Sequence, residues 1–206
     1  AKEIGGSHQK TDVRQADDVR KLIERAVKDH GRLDVFFNNA GIEGAVAPIT
    51  DYAVDVFDKV MAVNVRGVFI GLQALMPVMQ SQKGGVITIL SSTAGRRGSR
   101  GLTPYITSKH AVVGMMKCAA MEGAADGIRV NTVNPGPIET RMMRSIESNA
   151  SPADPSQLKD ALLGAIPMGR YGRAEEVAEL ITFLSSERAS YCTGNIYGID
   201  GGLTAG

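Results

Sequence analysis

Leu33-Asp34-Val35-Phe36-Phe37 is a short apolar run that breaks directly into Asn38-Asn39-Ala40-Gly41, a turn of polar and small residues. Its length and composition, followed by turn formers, predict a buried strand over residues 33–37. On the N-terminal side, Val19, Leu22, Ile23, Ala26 and Val27 repeat at helical spacing before a stop at Gly31, which predicts an amphipathic helix over residues 17–30. On the C-terminal side the two periods keep alternating. Residues 51–82 are helical in pattern, with Phe57, Val60, Met61, Val68, Phe69, Leu72, Leu75 and Met76 inward and Gly84-Gly85 as the stop. Residues 86–90 are a short β-branched strand ending at Ser91-Ser92. Residues 104–121 return to helix, and residues 128–133 predict a strand halted by Asn134-Pro135-Gly136-Pro137. After a long, weakly patterned insertion over residues 137–167, Val177, Leu180, Ile181 and Leu184 share one helix face, and residues 195–199 supply a last strand.

Strands alternating with helices imply an α/β fold, a doubly wound parallel sheet with both faces covered. The 206 residues fit one domain, and no repeat, low-complexity tract or linker divides them. In such a sheet ligands bind beyond the carboxyl ends of the strands. Function is therefore expected at the polar turns 38–41, 91–95 and 134–140.

The composition excludes several classes. Lysine plus arginine is 23 against 22 aspartate plus glutamate, a net charge of +1, so no global field recruits nucleic acid or an anionic membrane. The longest uncharged run, residues 67–82, contains Pro77 and is too short for a membrane span. Cys118 and Cys192 stand far apart, which suits a reducing, cytoplasmic setting and excludes a disulfide framework. His8, His30 and His110 show no ligand spacing, so no metal is assigned. The opening Ala1-Lys2-Glu3-Ile4-Gly5-Gly6 has no initiator Met and reads as a helix end with glycine stops, a start already cut into.

Tyr105 and Lys109 are four apart on a predicted helix and share a face. An ammonium beside a phenol favours the phenolate and lowers its pKa, which makes a general acid/base. Ser92 ends a strand thirteen residues earlier, where its hydroxyl can bond the substrate oxygen that Tyr105 protonates. Taken with Asn38-Asn39-Ala40-Gly41, Val63-Asn64-Val65-x-Gly67 and Pro135-Gly136, these motifs make the chain resemble the short-chain dehydrogenase/reductase family, from Thr11-Asp12-Val13 through Asp200-Gly201-Gly202.

The resemblance implies a Rossmann-like fold and NAD or NADP as cofactor. It also implies hydride transfer between the cofactor and a small-molecule alcohol or carbonyl substrate. It makes Tyr105 the acid/base, Ser92 its partner at the substrate oxygen, Lys109 a ribose binder and pKa modulator, and Asn64 the holder of a relay water. It places Asp12, Val13, Asn38, Ala40, Gly41 and Val63 along the adenosine half. It places Pro135, Gly136, Ile138 and Thr140 along the carboxamide and pyrophosphate, with the Ile138 N–H as carboxamide donor. Residues 137–167 become a substrate-covering lid, and assembly into a homodimer or homotetramer is expected, with residues 191–203 as one contact.

One departure stands out. The family opens with a strand, a Gly-rich Thr-Gly-x-x-x-Gly-x-Gly turn, a helix and a second strand, and nothing before Thr11 contains such a turn. The fold is thus expected to be N-terminally incomplete. Residues 7–13 would be an outer strand set apart from residues 33–37 by a hole of roughly 14 Å, three strand spacings. Two further readings follow, a non-catalytic remnant that oligomerises or binds a partner, and a reductase of carrier-bound 3-oxoacyl groups. Arg96, Arg97 and Arg100, just beyond Ser92, favour the latter.

Overall fold

In the computed structural model, which describes residues 4–205, the four strands expected from residue 33 onward form one parallel sheet. They are β1 (Val35–Asn38), β2 (Gly85–Leu90), β3 (Ile128–Pro135) and β4 (Ile196–Ile199), in the order β1-β2-β3-β4. Phe36 lies opposite Ile87, Ile87 opposite Val130, and Val133 opposite Tyr197. All four strands therefore end on the same side of the sheet, where the three polar turns gather.

The alternation of side chains along each strand feeds two cores. Ile87, Ile89, Ile128 and Val130 pack against α1 (Ala16–His30), α3 (Gly67–Gln82) and α4 (Thr103–Gly123). Val133 and Leu90 face the other way, onto Val177, Leu180, Ile181 and Leu184 of α7 (Ala174–Ser185). Helices thus cover both faces, as a parallel sheet requires. The insertion folds into α5 (Arg141–Ala150) and α6 (Ser156–Ala165), with an apolar cluster of Met143, Ile146, Leu162, Leu163, Ile166, Tyr171 and Leu203. Within it Glu147, 3 % exposed, accepts from the Tyr171 hydroxyl at 2.8 Å and from Arg144 at 2.7 Å. Burial and this carboxylate both push the Tyr171 phenol up.

Two expectations change. Residues 7–13 form no strand. They run as irregular chain whose His8 carbonyl accepts from Arg25 at 3.2 Å, while Val13 is pressed against α3. A parallel strand needs a neighbour's backbone to bond, and among the described residues the sheet stops at β1, where Val35 and Phe37 are 41 % and 37 % exposed. The helix over residues 51–82 is not uniform: α2 (Val54–Met61) passes through a π-helical turn at Ala62–Arg66 into α3. It runs on through Pro77 and stops at Lys83, which is left-handed at φ 56°. By length and composition Val54–Gln82 is apolar enough to cross a membrane, but half of that window is buried inside this fold. The reading of residues 1–3 lies outside the described residues.

Candidate active site

The turns after β1, β2 and β3 and the insertion with α5 and α6 surround a cavity of about 700 Å³. Asn39, Ala40, Gly41, Ser92, Tyr105, Pro135, Gly136, Ile138 and Thr140 all line it. The insertion contributes Met142, Met143, Ile146, Leu158 and Leu162.

Ser92 is placed by its backbone. The Asn134 amide donates to its carbonyl at 2.6 Å, while the Ser92 hydroxyl accepts from the Ala94 N–H at 3.1 Å and donates to the Pro135 carbonyl at 3.4 Å. Tyr105 and Lys109 project from α4, with the Lys109 Nζ 5.5 Å from the centre of the Tyr105 ring. The helix is docked by the Ser91 hydroxyl, which donates to the Lys109 carbonyl at 3.0 Å.

The electrostatics differ from the simple pair expected. Burial is the largest influence on the Tyr105 phenol and pushes its pKa up; the Ser92 hydroxyl pulls it down, and the Glu43 carboxylate pushes it up. Lys109 is itself 5 % exposed, and burial pushes its ammonium down to about 8. At Tyr105 burial outweighs the Ser92 hydrogen bond, so the phenol keeps its proton near neutral pH. The Lys109 shift gives a stability prediction. An unfolded lysine titrates near 10.4, so between pH of about 8 and about 10 the unfolded chain holds the extra proton and stability rises with pH. Denaturation midpoints of the protein alone should climb across that window, and Lys109→Met should flatten the climb. A climb unchanged in the variant would contradict the burial of this ammonium.

Asn64 sits on the π-helical turn, 2 % exposed. Its Oδ1 accepts from the Ile42 N–H at 2.8 Å, and its Nδ2 donates to the Ile42 carbonyl at 2.8 Å and to the Ser108 hydroxyl at 3.0 Å. Both amide protons are taken, and the side chain clamps the turn after β1. Asn38 lies elsewhere than expected. It is the last residue of β1, 7 % exposed, and donates at 3.4 Å to the Val68 carbonyl inside the core. Asn39, one residue on, is the one that lines the cavity.

Asp12, Val13 and Val63 gather around Ala40 and Ile42 in a second hollow of about 530 Å³, which shares Ala40 with the first. The Asp12 carboxylate is engaged by Arg14 at 2.7 Å, which holds it at about 2. Val13 reaches the hollow because α3 begins with a glycine: a Cβ on Gly67 would stand 2.9 Å from Val13 Cγ2. Among the described residues there is no cluster of metal-ligating side chains.

Two features fit a nicotinamide dinucleotide. The buried Lys109 ammonium makes one hydrogen bond, to the Leu90 carbonyl at 2.8 Å, leaving donors for a ribose diol. The Ile138 N–H has no partner among the described residues, although its neighbours are bonded across the bridge to Gly172.

Sequence reasoning missed Asn134, Ser91 and Gly95, which hold Ser92 and α4 in place. The signal available was their position in the polar turns.

Comparison with known proteins agrees with this geometry. A family model described as enoyl-(acyl carrier protein) reductase matches residues 1–204. Levodione reductase of Leifsonia aquatica is 37 % identical over 94 % of this chain and 73 % of its own. The crystal structure of levodione reductase superposes with a TM-score of 0.92 at 36 % identity, covering 95 % of this chain and 76 % of that one. A 3-oxoacyl-(acyl-carrier-protein) reductase of Thermotoga maritima is 41 % identical over 93 % of this chain and 74 % of its own. NAD+-bound xylitol dehydrogenase gives a TM-score of 0.88 at 34 % identity over 92 % of this chain and 76 % of that one. The chain belongs to the short-chain dehydrogenase/reductase family.

Proposed function

We propose that the protein is an NAD(P)-dependent oxidoreductase that interconverts a secondary alcohol and a ketone by hydride transfer. The observation that carries this reading is the meeting of Ser92, Tyr105 and the Ile138 N–H in one cavity, with Lys109 buried behind Tyr105. When bound, the nicotinamide supplies hydride donor and acceptor chemistry. The chain's own residues do the rest. Tyr105 moves a proton at its hydroxyl to or from the substrate oxygen, and Ser92 holds that oxygen by a hydrogen bond. Lys109 donates to the ribose and Ile138 to the carboxamide; Pro135, Gly136 and Thr140 flank that end. Ala40, Gly41, Asp12, Val13 and Val63 line the path of the adenosine half, and Asn64 keeps the Ala40–Ile42 turn in place. Tyr105 keeps its proton near neutral pH, which suits the acid required for ketone reduction.

The test is turnover of cyclohexanol with NAD+ and NADP+, and of cyclohexanone with the reduced forms. The reading expects a cofactor-coupled reaction with secondary alcohols that primary alcohols of the same size do not match. No coupled reaction across an alcohol and ketone panel would contradict it. A second reading, reduction of a carrier-bound 3-oxoacyl group, draws support from the similarity to the Thermotoga enzyme. A 3-oxoacyl pantetheine thioester preferred over simple ketones would favour it.

The reading extends to a cytoplasmic homodimer or homotetramer. Support comes from the free thiols of Cys118 and Cys192 and from Tyr191, 100 % exposed at the start of the proposed contact. Leu203, at its other end, is turned inward against the lid. Sedimentation at micromolar concentration should show a dimer or larger species, and monomer alone would contradict the extension.

A further inference from the structure

The cavity wall is largely apolar, with Leu102 and Ile106 from the start of α4, Met142, Ile146 and Leu158 from the insertion and Ile181 from α7, and no carboxylate among the described residues lines it. The only formal charges among its lining residues are the guanidinium groups of Arg97 and Arg100, on the exposed loop that follows the Ser92 turn. Neither takes part in an ion pair among the described residues. The Arg97 guanidinium makes one long hydrogen bond, 3.4 Å to the Leu203 carbonyl, and that of Arg100 makes none among the described residues. Each guanidinium carries five donors in a planar fork, so most of the capacity of this pair is left free. Arg96 differs. It turns toward the chain's end, donating to the Thr204 hydroxyl at 3.3 Å, and does not line the cavity.

Two unpaired cations at the rim of an apolar chamber select for an amphiphile. An apolar body gains by leaving water for this wall, and an anionic end is met where the wall opens to solvent. We propose that the cavity takes a substrate with an apolar body and a terminal oxyanion, a carboxylate or a phosphate, bound at the mouth by Arg97 and Arg100. This rests on the reading of the cavity as the substrate site of a ketone reductase. Arg97 and Arg100 are then specificity-determining residues, remote from the atoms that react.

The probes are methyl-ketone carboxylates of increasing chain length, their methyl esters, and the matching terminal phosphates, with calorimetric affinity and turnover both measured. Charge-assisted hydrogen bonds of this kind correspond to about ten- to hundredfold in affinity. The wild type should prefer one oxyanion series over the ester by that factor, and which series it prefers identifies the group. In Arg97→Met/Arg100→Met the ratio of oxyanion to ester affinity should fall close to one. Arg100→Met alone should lower that ratio in part and controls for loosening of the Leu203 contact. Equal affinity for oxyanion and ester in the wild type, binding of neither, or a preference that survives the double substitution would overturn the proposal. So would a loss confined to NADP affinity, which would assign the arginines to the cofactor. If the oxyanion preference and its loss in the variants are observed without any turnover, the oxidoreductase reading fails while the binding site stands.

Discussion

Tyr105→Phe is expected to lower turnover by roughly two to four orders of magnitude, the range assigned to a positioned acid/base, while dinucleotide affinity stays within a few-fold. The substitution removes one hydroxyl and keeps the ring that lines the cavity. Its partners are untouched: Ser92 remains held by Asn134 at 2.6 Å, and Lys109 still donates to Leu90 at 2.8 Å. The loss should therefore fall on the chemical step, with kcat and kcat/KM reduced together. Steady-state kinetics beside calorimetric binding of the cofactor check this. A variant that turns over at a rate near the wild type would remove Tyr105 from the role of proton donor, and an equal loss of cofactor affinity would make its part structural.

Gly95→Ala is expected to do comparable damage without touching a reacting group. A Cβ at residue 95 would overlap the Ser91 hydroxyl oxygen and stand 2.7 Å from the Lys109 carbonyl oxygen and 3.1 Å from the Lys109 carbonyl carbon. The hydroxyl can rotate away. The carbonyl belongs to the backbone of α4 and cannot move unless the helix moves, carrying Tyr105 and Lys109 away from Ser92. Overpacking of this kind costs about 1–3 kcal/mol, and a misplacement of about 1 Å in a catalytic constellation can cost on the order of a hundredfold in rate. The expected result is a lowered denaturation midpoint and a turnover loss that adds little on top of Tyr105→Phe. Wild-type stability and turnover in Gly95→Ala would mean that the loop and α4 are not packed as described.

The parts of this site that were legible in the sequence depend on spacing along single elements. Tyr105 and Lys109 share a face of α4 because they are four apart, and the turns after residues 37, 90 and 133 announce themselves by a change from apolar to polar and small residues. The parts that were not legible depend on contacts between elements. Apolar residues recur in much the same way through an α-helical and a π-helical turn, so the widening at Ala62–Arg66 that brings Asn64 to Ile42 left no periodic trace. Asn38 and Asn39 differ by one position, and in a strand one position is the difference between core and cleft. β1 runs one residue further than its apolar run, which is enough to turn Asn38 inward. Residues 7–13 are expected as a strand only by the family resemblance, and without a bonded neighbour their polar Ser7-His8-Gln9-Lys10 stays irregular. Spacing likewise shows that Lys109 is near Tyr105 but not that both are buried, and it is burial that pushes the Tyr105 phenol up.

The central claim is that Ser92, Tyr105 and Lys109 frame a direct hydride transfer between a substrate carbon and a nicotinamide. Deuterium placed on the carbinol carbon of a secondary alcohol tests it most directly, with the protein, oxidised cofactor and mass analysis of the reduced product. The account predicts one deuterium delivered to one face of the nicotinamide for each ketone formed, at a rate slowed by the label and nearly abolished in Tyr105→Phe. Ketone formed without deuterium reaching the cofactor, or transfer that proceeds equally well in Tyr105→Phe, would contradict it.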